Sequence, residues 1–389
     1  MRRMLILAAL VVCAAVAATV RARAANIFGT IDSAPVLSID PSARFGAMGG
    51  ASGAVFWGTD PNHWANPALL GLAEGIRYED GDTRLAFGVR FLASREVIGY
   101  GGLGVALAGR PFTGLGGLRL KLEQVGDSDV YQPDPGVTSG GSSTEIHSWG
   151  AGVSLSRLAA TIATLRHVEA PAFTRYADLA FGYNYKSYEY APPAPGLAGR
   201  TVAVDWGLLV RAGVPMALDV AGGLPVRAEA AYAYSVQNAN DVSKPGSLGT
   251  AWRPHRHGLA AHVGIGPPAR WQSLLPAWLA RGFEPLLSLG GAWDREFITM
   301  GSGSAVGDVS RTGAEFGLAN VAFLRFGERR GTVVLRWRTS GYGLALPIGR
   351  FAGFRYDHAR IAWSDGLPET TINGWSVWME PVAIVRTLR

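Results

Sequence analysis

The chain of 389 residues has little of what most soluble proteins use to hold or advertise themselves. It carries one cysteine, Cys13, so no intramolecular disulfide can form. Its stability has to come from packing or from the medium around it. Only 17% of its residues are charged, against about 25% in a typical soluble domain. Disorder is a poor explanation, because disordered chains combine low hydrophobicity with high net charge. After residue 24 no apolar run is long enough for a membrane-spanning helix. Catalytic and cofactor signatures are missing as well. There is no H-E-x-x-H, no G-x-S-x-G and no glycine loop ending in Lys-Ser/Thr. His255 and His257 stand two apart without a third ligand, a weak basis for a metal site. His147 and Ser148 are adjacent on a strand-like run, and neighbouring strand residues face opposite ways. The expectation is a protein that is not an enzyme and uses no cofactor and no metal.

What is present begins at the N-terminus. Arg2 and Arg3 precede an apolar run from Met4 to Val20, and Ala22-Arg23-Ala24 offers a small-x-small cleavage site. That is the pattern of a secretory signal peptide over residues 1–24. A transmembrane anchor is the alternative, but the run is short and alanine-rich. A lipoprotein signal at Cys13 would need a small residue where Val12 stands. Cleavage would remove Arg2, Arg3, Arg21 and Arg23, four of the six net positive charges, together with the cysteine. The basic balance belongs mostly to targeting and gives no reason to expect nucleic acid as a partner.

The rest of the chain is rich in glycine, with 52 residues, and in Trp, Tyr and Phe, with 12, 12 and 15. Apolar residues alternate with small or charged ones over long stretches. Leu85, Phe87, Val89 and Phe91 share one face. So do Leu179, Phe181, Tyr183 and Tyr185, then Val226 to Val236 in steps of two, and Val333, Leu335 and Trp337 opposite Arg336 and Arg338. Period two with one apolar face is the strand signature. These strands run about ten residues or more, as tilted membrane spans do, whereas soluble strands average about five or six. The expected fold is all-β: a transmembrane antiparallel barrel of about 14 strands with the apolar face toward lipid and the charged face lining the lumen. A periplasmic or secreted β-sandwich is the competing reading. Fourteen segments count as strands: 75–79, 83–93, 98–109, 115–125, 145–156, 175–190, 200–214, 225–237, 255–266, 285–297, 311–326, 331–341, 351–363 and 374–386.

Two stretches do not fit the alternation. In "PPARWQSLLPAWLARGF" (267–283), Trp271, Leu275 and Trp278 recur at helical spacing. They suggest a helix at the membrane interface or the barrel rim, with Pro276 as a possible break. The other stretch is "SARFGAMGGASGAVFWGTDPNHWANPALLGL" (42–72), a glycine-rich coil running into an Asn-Pro turn.

This second stretch resembles the N-terminal signature of the PorV/PorQ-like family, in the fatty-acid-transporter (FadL) superfamily of outer-membrane barrels. That signature has R-x-x-x-M-G-G-A, an Ala-Val pair, a short acidic spacer, then N-P-A and a following leucine. Arg44, Met48, Gly49, Gly50, Ala51, Ala54, Val55, Asp60, Asn66, Pro67, Ala68 and Leu72 match it. Trp64 stands one residue further from Asn-Pro than the aromatic of the pattern. "VDWGLLVRAGV", "GAEFGLANVAFLRFG" and "GFRYDHA" are further echoes. The resemblance implies a fourteen-stranded barrel at 74–389 whose preceding residues, 25–73, fold into the lumen as a hatch. Glycine suits such a segment because it tolerates close backbone approach and unusual φ and ψ. Within the hatch, Arg44, Met48, Gly49, Gly50, Trp57, Asp60, Asn66 and Pro67 are the candidate ligand or plug residues. The resemblance further implies the outer membrane of a Gram-negative-type bacterium, with outer-membrane lipid as a partner. One branch of the superfamily passes hydrophobic compounds. PorV-like members hold secreted cargo proteins for type IX secretion. A structural barrel without transport is a third reading.

Overall fold

The structure, a computed structural model, describes residues 40, 42–58, 62–73, 76–84, 89–100, 112–124, 143–191, 199–218, 224–240, 253–267, 284–299, 305–332, 336–349, 352–363 and 369–380. Fourteen antiparallel strands close into a barrel in which each strand pairs with its sequence neighbours and the last pairs with the first. They are β1 (Ile76–Arg84), β2 (Val89–Tyr100), β3 (Thr113–Gln124), β4 (Ser143–Ser154), β5 (Ala177–Ala191), β6 (Gly199–Leu218) and β7 (Leu224–Val236). The second half comprises β8 (Arg253–Ile265), β9 (Leu287–Thr299), β10 (Ala305–Leu318), β11 (Ala322–Gly331), β12 (Trp337–Ile348), β13 (Ala352–Trp363) and β14 (Thr370–Met379). Closure matters in lipid, where an unpaired strand edge leaves backbone groups without partners.

The alternation turns one side of each strand outward. On β5, Leu179, Phe181, Tyr183 and Tyr185 are exposed while Asp178, Ala180, Asn184 and Lys186 are buried. On β11, exposed Leu324 and Phe326 flank Arg325, which is wholly buried. Leu344, Leu346 and Ile348 continue the outer apolar surface on β12, and Trp375, Val377 and Met379 do so on β14. An apolar exterior around a charged interior is the arrangement of a transmembrane barrel. A soluble sandwich is excluded, since it would bury the apolar face and expose the charges.

The count of fourteen agrees with expectation, but the segments behind it do not all match: residues 98–100 of the expected strand 98–109 belong to β2, and 101–109 lie outside the described residues. The segment 83–93 is not one strand, because Arg84 pairs with Arg90 across a hairpin. The segment 311–326 is two strands, with Leu318 opposite Ala322. Ala319 and Asn320, at φ 50° and 53°, make the reversal there. Two positive φ angles in succession suit a tight hairpin, and without glycine or proline the apolar alternation runs straight through it. Trp337 begins β12 and faces the lumen, packed under the Arg329 guanidinium at 4.4 Å. Arg336 and Arg338 therefore point outward, the reverse of the expected facing. The hydrophobic pattern misled because a cation-stacked Trp is as well placed inside as outside.

A helix that the strand reading passed over, α2 (Leu155–Leu165), joins β4 to β5. Ser154 caps it by accepting from the Arg157 backbone N–H, and it exposes Leu155, Ile162 and Leu165. Val168 and Phe173 extend this apolar surface toward β5, as an interfacial helix would. The expected interfacial residues Trp271, Leu275 and Trp278 lie outside the described residues, as does the proposed signal peptide.

Candidate functional site

The lumen is filled by residues 42–58 and 62–73. Almost all of them are buried, although they contain only one short α-helix, α1 (Ala43–Ala47), and a 3-10 helix at Pro67–Leu72. The glycines of the opening motif end α1. Gly50 N–H donates to the Phe45 carbonyl at 2.8 Å and Gly49 N–H to that of Gly46 at 3.2 Å. Gly49 and Gly50 have positive φ, 67° and 76° respectively. This is the Schellman termination, which calls for a left-handed residue after the helix. Gly49 also lies so close to β11 that a Cβ would sit 2.7 Å from the Glu328 backbone nitrogen.

The first part of the hatch is held by charge. Arg44, 1% exposed, grips Glu315 of β10 with two hydrogen bonds, Nε to Oε2 at 3.0 Å and Nη2 to Oε1 at 2.9 Å. Trp57 Nε1 donates to the same Oε1 at 2.8 Å. Arg325 Nε reaches Oε2 at 2.6 Å and also pairs with Asp357 at 2.9 Å. One carboxylate thus ties both ends of the segment 44–57 to the wall. Further along the lumen, Asp294 accepts the backbone N–H groups of Ser52 and Gly53, each at 2.9 Å. Beside it Glu296 takes Arg256 and Arg311 at 2.8 and 2.9 Å. Such pairing is what buried charges require. Met48 is fully buried, with its backbone against Gly313 and Gly327 of the wall.

The second part is held by shape. Asn66 is fully buried. Its side chain caps the 3-10 helix by accepting from Ala68 N–H at 3.0 Å. Its Nδ2 donates to the carbonyls of Gly53 at 2.9 Å and Leu208 at 3.3 Å. Pro67 follows at the first helical position, where its missing N–H costs nothing. The helix then lies directly on wall glycines. A methyl group added at Gly182 would overlap the Pro67 carbonyl, one at Gly207 the Asn66 side chain, and one at Gly114 the Leu70 carbonyl. Neighbouring side chains finish the seat: Asn184 donates to the His63 carbonyl at 2.7 Å and Ser235 to that of Ala65 at 2.9 Å. Lys186, ion-paired with Asp205 at 2.6 Å, rests over the Trp64 ring.

Of the sequence-derived candidates, Arg44, Met48, Gly49, Gly50, Trp57, Asn66 and Pro67 therefore all lie in the lumen, while Asp60 is outside the described residues. Glu315, Asp294 and the wall glycines were not legible as partners. Each sits alone in an alternating strand, and only closure of the barrel brings them to the hatch. At the barrel end that carries the first and last strand termini, a cavity of about 70 Å³ opens beside Trp57. Its lining includes His262, Glu315, Phe323, Arg355 and Trp378. Trp57 stacks on His262 with ring centroids 5.2 Å apart. Among the described residues no cluster of potential ligands could hold a metal ion.

Comparison with solved structures finds likeness over most of the chain. The toluene transporter TbuX of Ralstonia pickettii is 14% identical, with a TM-score of 0.37, covering 86% of this chain and 97% of that one. The toluene transporter TodX of Pseudomonas putida is 12% identical at a TM-score of 0.36, covering 85% and 95%. A FadL homologue of Pseudomonas aeruginosa is 9% identical at 0.36, covering 86% and 97%. No protein-family model matches the chain, and no curated protein does.

Proposed function

We propose that this outer-membrane barrel passes small hydrophobic compounds, and that the state described is its closed form. The observation that carries this reading is the cavity beside Trp57. Its walls include Phe323, Trp378, Pro285 and Pro347, and the hatch itself supplies one of its sides. His262, Ser288, Glu315, Asn320 and Arg355 add polar groups to these apolar walls, and apolar walls with placed polar groups are the usual character of a small-molecule site. A compound entering there meets Trp57, whose indole N–H is bound to Glu315, so occupancy and the hatch latch act on one another. Passage needs the hatch to move, since its backbone rests on the wall on several sides.

Deleting residues 44–72 tests the reading. The truncated barrel, shown to be folded by its altered gel mobility before boiling, should conduct ions across a planar bilayer. Vesicles containing it should admit a small aromatic hydrocarbon faster than those containing the full chain. Unchanged conductance and uptake would overturn the proposal. That outcome would favour a second reading, a barrel that stays closed and holds secreted cargo or serves structurally. The dense ion pairing around Glu296 and Lys186, which leaves the lumen charged rather than apolar, supports this alternative.

A further inference from the structure

The outer surface of β11, β12 and β13 repeats one pattern at one height. Going toward the end opposite the strand termini, the last large outward apolar or aromatic residues are Phe326 on β11, Tyr342 on β12 and Tyr356 on β13. Four residues beyond each, on the same face, stands an arginine: Arg330, Arg338 and Arg360. Between them lie Glu328, Ser340 and His358. In the hydrogen-bond register the three arginines fall on different rows. Arg330 pairs with Ser310, Arg338 with Glu328 and Arg360 with Ser340. The pattern therefore steps obliquely across the sheet, as a level boundary must on tilted strands.

Below this line the surface is apolar, with Leu324, Leu344, Leu346 and Phe354 exposed. On the line, the Tyr356 hydroxyl and His358 Nδ1 meet the Asn373 side chain at 2.9 and 2.8 Å. Above it, Arg330 and Arg360 are more than half exposed, and Arg336, just before β12, is nearly so. Four arginines share only two described carboxylates. Glu328 takes Arg330 and Arg336, Glu369 takes Arg360, and Arg338 has no ion pair among the described residues. Four residues of strand rise about 13 Å along its axis, and less along the membrane normal once tilt is counted. That places the guanidinium groups at headgroup depth, within reach of a side chain leaning back toward lipid.

We propose that Arg330, Arg336, Arg338 and Arg360 form a binding site for the phosphate of lipid headgroups in the adjoining leaflet. Guanidinium matches phosphate oxygens two at a time, and an excess of arginine at the membrane surface attracts anionic lipid. Ser310, Thr312, Ser340 and Thr371 surround the arginines on the same face and add hydroxyl donors. The site is independent of what crosses the lumen.

The test uses the full-length barrel in bilayer nanodiscs of phosphatidylcholine with or without phosphatidylglycerol of the same chains, released into the gas phase and weighed. Retention of phosphatidylglycerol over phosphatidylcholine should fall about fivefold for each arginine removed in Arg330→Gln, Arg338→Gln and Arg360→Gln. Arg175→Ala, an exposed arginine near the opposite end, should leave it unchanged. Glu328→Gln removes the competing carboxylate and should raise retention, which keeps the proposal testable if a multiple arginine variant fails to fold. Equal retention by the arginine variants and the unmodified protein would overturn it. So would protection against heat by inorganic phosphate equal to that by the lipid, since the site would then take free anions rather than headgroups.

Discussion

The two parts of the hatch reach the same burial with different shares of charge and contact. Residues 44–57 meet β8 to β14 through charge as well as contact, with Arg44 and Trp57 on Glu315, the Ser52 and Gly53 amides on Asp294, and the Met48 backbone on Gly313 and Gly327. Residues 62–72 meet β3 to β7 through contact, with backbone laid on Gly114, Gly182 and Gly207 and capped by Asn66. A charged tie is strong only while both partners are present, because a buried charge left alone is costly. A steric seat fails chiefly when something is added. On the proposed function, the first part is the one suited to release and the second to anchorage.

The comparison can be broken most severely at Glu315. Replacing it with Ala leaves Arg44 and Arg325 buried without their shared carboxylate, a loss of about 3–5 kcal/mol. The temperature at which the folded gel band disappears should drop, and bilayer conductance should rise. An unchanged melting band with no new conductance would show that the charged part is not a latch. Next in size is Gly182→Ala, which forces a methyl group onto the Pro67 carbonyl and should cost about 1–3 kcal/mol by overpacking. Limited proteolysis should then cut within 62–72 while the barrel stays intact. Resistance equal to that of the unmodified protein would mean that the wall yields and the seat is soft.

Asn66→Leu sharpens the comparison. It removes the cap and two carbonyl partners, and about 0.5–2 kcal/mol should be lost. Hydrogen exchange of the Ala68 amide reads it directly: faster exchange is expected at Ala68, with little change at Gly53, whose amide belongs to Asp294. The smallest effect belongs to Arg175→Ala, outside the hatch, where the pair with Glu169 is largely exposed. A change within about 0.5 kcal/mol is expected. A larger loss would mean that surface pairs matter here as buried ones do.

Much of this was legible beforehand, for reasons visible in particular residues. Leu179, Phe181, Tyr183 and Tyr185 announce a lipid-facing strand because strand period and lipid contact impose the same alternation. Asn66-Pro67 announces a capped turn, and Gly49-Gly50 a backbone that ordinary residues avoid. The hairpin at Ala319-Asn320 was hidden because its positive φ angles fall on residues that sit unremarkably in a strand. The facing of Trp337 was hidden because hydropathy does not register the cation it covers. α2 leaves little mark in the sequence, because its stretch follows a strand with no break but Ser154.

Local chemistry therefore determined, from the sequence alone, that this chain forms long alternating strands enough to close a barrel in lipid, preceded by a glycine-rich segment of unusual backbone. Only the tertiary structure decided which wall positions that segment meets. Glu315 and Arg44 are separated by 271 residues, and Gly182 looks like any small residue on a lumen face until the Pro67 carbonyl lies against it. Alternation records which side of a strand a residue is on. It does not record what stands across the lumen, because that depends on closure, tilt and register accumulated over fourteen strands.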